Sequence, residues 1–187
     1  MSISTTLLQR LVDRRALVFI EPLRYSVALR HVLALPEAAN DMDPEHCVNV
    51  RRSDMAPLRA WVDGFIGGRY VSVGTRRSRR ADLKILEPRV DSIWELGKQQ
   101  KPGTRLFGRF ARKDVFVVTS IRTSQQLYEQ SSQDATAERY PIWDEQIALC
   151  KAEWQRLFGD QSPVTGGDMH DYLTKYNLAD NFQLNLD

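Results

Sequence analysis

Leu7, Leu8, Leu11 and Val12 form an apolar stripe that predicts a short helix, with Thr5 or Thr6 as its cap. Residues 17–20 are a compact β-branched and aromatic run stopped by Glu21-Pro22, which predicts a strand. Residues 23–35 satisfy two periods: Leu23, Val27, Arg30 and Ala34 fit a helix, whereas Leu23, Tyr25, Val27 and Leu29 alternate as in a strand. The helix is the preferred reading, and residues 36–44, bounded by two prolines, read as a loop. A helix then opens at Ser53 or Asp54 with Pro57 in its first turn. It carries Leu58, Trp61, Val62 and Phe65 on one face and stops at Gly67-Gly68.

From residue 70 the pattern becomes that of a sheet. Strands are predicted over 70–73, 83–86 and 92–96, followed by a turn over 98–103. A hairpin of 105–111 and 115–122 comes next, joined through Arg112, Lys113 and Asp114. Val115, Phe116, Val117 and Val118 leave no polar face, which predicts a strand covered on both sides. Residues 131–136 read as a polar linker. Pro141 then opens a long amphipathic helix in which Trp143, Ile147, Cys150, Trp154 and Leu157 or Phe158 repeat at helical spacing, so this helix is expected to dock on the sheet. A short helix is expected over 168–176, and the last ten residues are expected to fray. The expected fold class is therefore α+β, a twisted antiparallel sheet with helices packed against it and a helical C-terminal extension. The expected division is a core domain over 1–130 and an acidic helical extension over 131–187.

With 42% hydrophobic and 27% charged residues the composition is that of a globular chain, and no apolar run reaches the roughly 20 residues of a membrane span. The first twenty residues intersperse Arg10, Asp13, Arg14 and Arg15 with the apolar positions, unlike a signal peptide, so a cytoplasmic protein without membrane contact is expected. Cys47 and Cys150 belong to no CxxC or Cys/His cluster, so reduced thiols are expected, with Cys150 in the core. Cys47, His46, Asp41, Asp43 and Glu45 lack an ordered ligand spacing, and no metal or cofactor is expected.

Charge changes the picture most. Residues 1–68 hold 8 basic and 8 acidic side chains, residues 69–113 hold 13 and 4, and residues 114–187 hold 5 and 12. A formal net charge of +2 thus conceals a basic middle third and an acidic last third, an asymmetry that points to an anionic partner for the basic part. Arg76, Arg77, Arg79 and Arg80 lie within five residues, and guanidinium groups pair with phosphates in a bidentate way that lysine does not reproduce. On a strand, Arg105, Phe107 and Arg109 share one face, so two cations flank a ring, as single-stranded nucleic acid binding requires. Arg122 and Lys84 converge on the same surface if the neighbouring strands pair there. The competing reading is a core Phe107 with arginine stems at the sheet margin. No Gly-rich phosphate loop, GxSxG elbow or HExxH pair is present. Asp168, His170 and Asp171 cluster near a predicted helix start, where a surface role is the simpler reading.

From about residue 82 to 122 the order of features resembles the RelE/ParE/HigB toxin superfamily. The stretches that carry the likeness are Lys84-Ile85-Leu86, Ile93-Trp94-Glu95-Leu96, residues 105–110, and the strand over 115–121 that ends at Arg122. The resemblance implies ribosome-dependent cleavage of messenger RNA, with RNA or the ribosome as partner and an antitoxin-like protein as a second one. It implies Arg105 as phosphate clamp, Lys84 as a neighbouring cation, Arg122 as the strand-end group and Tyr128 as an acid-base or stacking residue. Gly97 stands where the family has an arginine, and Thr123-Ser124 where it has a lysine pair. Beside the endonuclease stand two alternatives: a non-catalytic nucleic-acid- or protein-binding module of a mobile element or host-defence system, and a protein-interaction partner that uses exposed aromatic residues.

Overall fold

The structure, a computed structural model, describes residues 2–23, 27–75, 78, 81–97, 103–129 and 141–178, with the backbone alone for 128, 129, 141 and 142. The fold class is α+β. Five helices, α1 (Thr5–Asp13), α2 (Pro36–Asn40), α3 (Arg52–Ile66), α4 (Ser124–Glu129) and α5 (Pro141–Phe158), accompany one sheet. Its eight strands are β1 (Val18–Phe19), β2 (His31–Ala34), β3 (Val71–Thr75), β4 (Leu83–Ile85), β5 (Trp94–Leu96), β6 (Thr104–Arg112), β7 (Val115–Thr123) and β8 (Tyr176–Leu178), in the order β1-β2-β7-β6-β5-β4-β3-β8.

Several local expectations are met for the expected reasons. Helix α1 begins one residue early, because the Ser4 hydroxyl accepts the Leu7 amide. Helix α3 buries Leu58, Trp61, Val62 and Phe65 and ends at Gly67, and Gly68 takes the left-handed conformation (φ 80°). It starts at Arg52, so Pro57 lies inside the helix rather than in its first turn, on the exposed side. Strands β6 and β7 form the hairpin, with Val115, Phe116, Val117 and Val118 all buried.

Four expectations are corrected. The sheet is mixed, not antiparallel: β2 runs parallel to β7, and β3 runs parallel to both β4 and β8. The end of the 23–35 stretch is strand β2, whose Val32 and Ala34 pair with Phe116 and Val118, so sheet pairing overrides the ambiguous local period. Pro36 opens the helix α2 where a loop is expected, since its fixed φ suits a first helical position. Over 168–176 the chain makes only a 3-10 turn (Met169–Asp171) before β8 joins the sheet edge. The turn over 98–102, the linker over 131–136 and the terminus beyond 178 lie outside the described residues.

The register sorts the strand residues cleanly. Val73, Leu83, Leu96, Leu106 and Ile121 form one cross-strand row, and Ile85, Trp94, Gly108 and Val118 form another. Both rows lie on one face, and their apolar side chains belong to the main core with Phe65, Phe110, Phe116 and Tyr172. The row between them, Gly74, Lys84, Glu95, Phe107 and Ser120, lies on the opposite face.

One cation serves the fold itself. Arg30 is 1% exposed; its guanidinium donates to the carbonyls of Phe65 (3.1 Å), Arg69 (2.8 Å) and Lys175 (2.5 Å) and lies 3.5 Å from Asp114. It therefore ties the end of α3, the approaches to β3 and β8, and the β6–β7 hairpin tip to one point. Desolvation lowers its pKa, and the Asp114 carboxylate opposes that shift.

Candidate nucleic-acid interface on the charged face of the sheet

Period-two alternation carries the charged strand residues to a single face. Lys84 pairs with Glu95, Glu95 with Phe107, and Arg105 with Arg122; Arg109 lies two residues beyond Phe107 on the same strand. Among these paired positions the face holds four cationic side chains, Lys84, Arg105, Arg109 and Arg122, and one carboxylate, Glu95.

The side chains are not equally accessible. Arg105 is 8% exposed, and its Nε lies 2.7 Å from Glu95 Oε1. The other oxygen of Glu95 accepts from the Trp143 indole at 3.1 Å. Lys84 is buried next to this pair. Arg122 is half-buried, with a guanidinium nitrogen 2.7 Å from the Ile121 carbonyl. Arg109 is 7% exposed beneath the Trp154 ring (5.6 Å to the centroid), and its Nε meets no acceptor among the described residues. Burial lowers the Arg109 pKa.

Helix α5 is the cover. Trp143, Gln146, Cys150 and Trp154 point from it onto β5, β6 and β7: Gln146 meets Ser120 at 2.6 Å, and Trp143 and Cys150 pack with Phe107. Its carboxylates point away, Asp144 and Glu145 exposed and Glu153 paired with Arg156. The arginines are thus covered by aromatic side chains, and the carboxylate that meets Arg105 at 2.7 Å is Glu95 of the sheet itself.

Two expected contacts are corrected. Phe107 has 0% exposure, so its ring is core beneath α5 and offers no open stacking surface in this conformation. Arg105 and Arg109, expected on a water-facing surface, are buried under the same helix. Arg76, Arg77, Arg79 and Arg80 and the Tyr128 side chain lie outside the described residues. Ser78 and Ala81 rest on Gly74, where a Cβ would sit 2.5 Å from the Ser78 hydroxyl and 3.0 Å from Ala81. Gly74 in turn pairs with Lys84 on the charged face. Gly97 is fixed by sterics, since a Cβ there would come within 2.3 Å of the Thr104 carbonyl.

Glu95 was missed as a site residue, although the signal was present: it is the only carboxylate in the predicted strand over 92–96 and lies one residue after Trp94. Asp168 and Asp171 spend their carboxylates in a reciprocal cap on the 3-10 turn, and His170 is exposed. His46 bonds Asp43 at 2.9 Å, which raises the imidazole pKa. Among the described residues, no group of three or more His, Cys, Asp or Glu is placed to hold a metal ion, and no helix is long and apolar enough to cross a membrane. A groove of about 670 Å³ lies elsewhere, between α3 and the 36–44 segment, and none of the expected site residues lines it. Comparison of the chain with family models, curated proteins and solved structures gives no match.

Proposed function

We propose that this protein binds single-stranded RNA through the charged face of its sheet, entering from the margin at Arg122. The observation that carries the reading is the segregation of strand charges: four cations and one carboxylate on one face, against the apolar rows of Leu83, Leu96, Leu106 and Ile121 and of Ile85, Trp94 and Val118 on the other. A sheet that only needed a core would place its few charged residues at edges and loops, where hydration is free. Here Lys84 and Arg105 are fixed in low-dielectric surroundings, where their charge acts at longer range than it would in water. The half-buried Arg122 and the sequence run Arg76, Arg77, Arg79 and Arg80 supply the groups that touch phosphate.

Binding is favoured over cleavage. The side chain that the toxin resemblance casts as phosphate clamp, Arg105, already holds Glu95 at 2.7 Å and lies under α5. Competition from a bound carboxylate weakens a guanidinium as a clamp for a developing negative charge. A ribosomal target and an antitoxin-like partner belong to the cleaving alternative.

The test is titration of labelled single-stranded RNA, read by anisotropy, with the products inspected on a denaturing gel. Replacing the four arginines of the run by glutamine weakens binding by about tenfold or more at low salt, as loss of several phosphate contacts requires. Intact RNA throughout supports the binding module; cleavage abolished by Arg122→Ala supports the endonuclease. Wild-type protein that retains no RNA at low salt defeats both.

A further inference from the structure

Six buried residues, Leu86, Ile93, Phe107, Leu127, Trp143 and Cys150, form an apolar cluster of their own, separate from the main core. They join the first half of α5 to the charged face. The second half of the helix belongs elsewhere: Trp154, Leu157 and Phe158 are part of the main core, and the Trp154 indole is anchored on the Gln161 carbonyl at 2.8 Å. One helix is thus divided between a large cluster and a small one.

The small seat is also polar. Trp143 donates to Glu95, Gln146 meets Ser120, and Cys150 lies against Thr119, whose hydroxyl reaches the Phe107 carbonyl at 3.1 Å. Each such hydrogen bond contributes little net stability, because water or a ligand can replace it. Opening this half costs less than opening an apolar interface of the same size, and regions held by few apolar contacts are the ones that open locally. The second half has no such discount.

We propose that residues 143–150 of α5 are a hinged cover, and that single-stranded RNA competes with them for the Arg105 and Phe107 row beneath, placing a phosphate at Arg105 and Lys84 and a base on the Phe107 ring. The inference rests on the RNA-binding reading above and adds a second, gated contact to it. In the free protein Trp143 takes the place of the stacked base and Glu95 that of the phosphate. A base stacked on an aromatic ring replaces contacts of the kind that Trp143 and Gln146 give up. Trp154 stays seated, so Arg109 stays covered.

Cys150 reports the opening directly, because it is fully buried at the end of the proposed cover. In a Cys47→Ala protein, alkylation of Cys150 is timed with and without saturating RNA, and binding is measured by anisotropy on the same sample. Bound RNA is expected to speed labelling severalfold. Lys151→Ala, which removes the exposed 3.0 Å bridge to Asp91 beside the hinge, is expected to tighten RNA binding about twofold to threefold. If RNA binds while labelling is unchanged or slower, the cover is wrong and the RNA-binding reading stands. If RNA does not bind, both fall together.

Discussion

Arg30 and Cys150 show how much a single buried polar atom decides. Arg30→Met would remove the donor to the Phe65, Arg69 and Lys175 carbonyls and the charge facing Asp114, which keeps its bonds from Thr174, and urea unfolding should show a loss of about 3–5 kcal/mol, the cost of breaking a buried ionic contact from one side. A loss below about 1 kcal/mol would mean that water already satisfies those groups. Burial pushes the Cys150 thiol up to about 11 from its ordinary 9.0. The unfolded chain therefore gives up this proton first. Stability is unaffected below about pH 9 and falls by about 1.4 kcal/mol per pH unit from there to the folded value. Unfolding measured at pH 8 and pH 10.5 should show the decline, and Cys150→Ala should flatten it. The core placement of Cys150 was legible because it lies on a helical stripe. The burial of Phe107 was not, since a ring between two arginines looks the same in sequence whether or not a distant helix lies over it.

Among the elements, α3 and α5 were legible because long amphipathic helices repeat their period several times. Strand β2 was not. Four residues cannot establish a period, and what makes 31–34 a strand is pairing with β7 some eighty residues away. The parallel course of β3 and β4 was equally hidden, because only seven residues join them, fewer than a parallel connection ordinarily needs. The chain manages it by folding back over Gly74 and locking Asp82 to Ser72, whose hydroxyl donates to the carboxylate at 2.8 Å. Gly74→Val should therefore expel Ser78 and Ala81 from the sheet, with faster proteolysis between β3 and β4 as the readout. Unchanged proteolysis would show that the loop has another way across. For α5, Trp154→Ala removes a core indole and should cost about 3–5 kcal/mol. A much smaller loss would move the anchor of the helix away from the main core.

At the scale of the molecule, the uneven charge along the chain was legible from residue counts, and so was the gathering of Arg105, Phe107 and Arg109 on one face. What counting could not supply is where the acidic third goes. The structure lays its helix over the basic face with aromatic and amide groups inward and Asp144 and Glu145 exposed, while Arg105 is met by Glu95 of the sheet itself. The half-buried Arg122 at the margin of that face and the sequence run Arg76, Arg77, Arg79 and Arg80 are the basis for the proposal that the protein binds single-stranded RNA. A polyanion bound there releases counterions, and the dependence of affinity on salt counts the phosphates engaged. The most direct measurement is the affinity of wild-type protein for single-stranded RNA across a salt series. Five phosphate contacts, one for each of Arg76, Arg77, Arg79, Arg80 and Arg122, predict a slope of about −3.5 in log K against log salt, a loss of about a hundredfold between ~50 and ~200 mM. An affinity that is flat across that range, or absent at its lower end, would contradict the account.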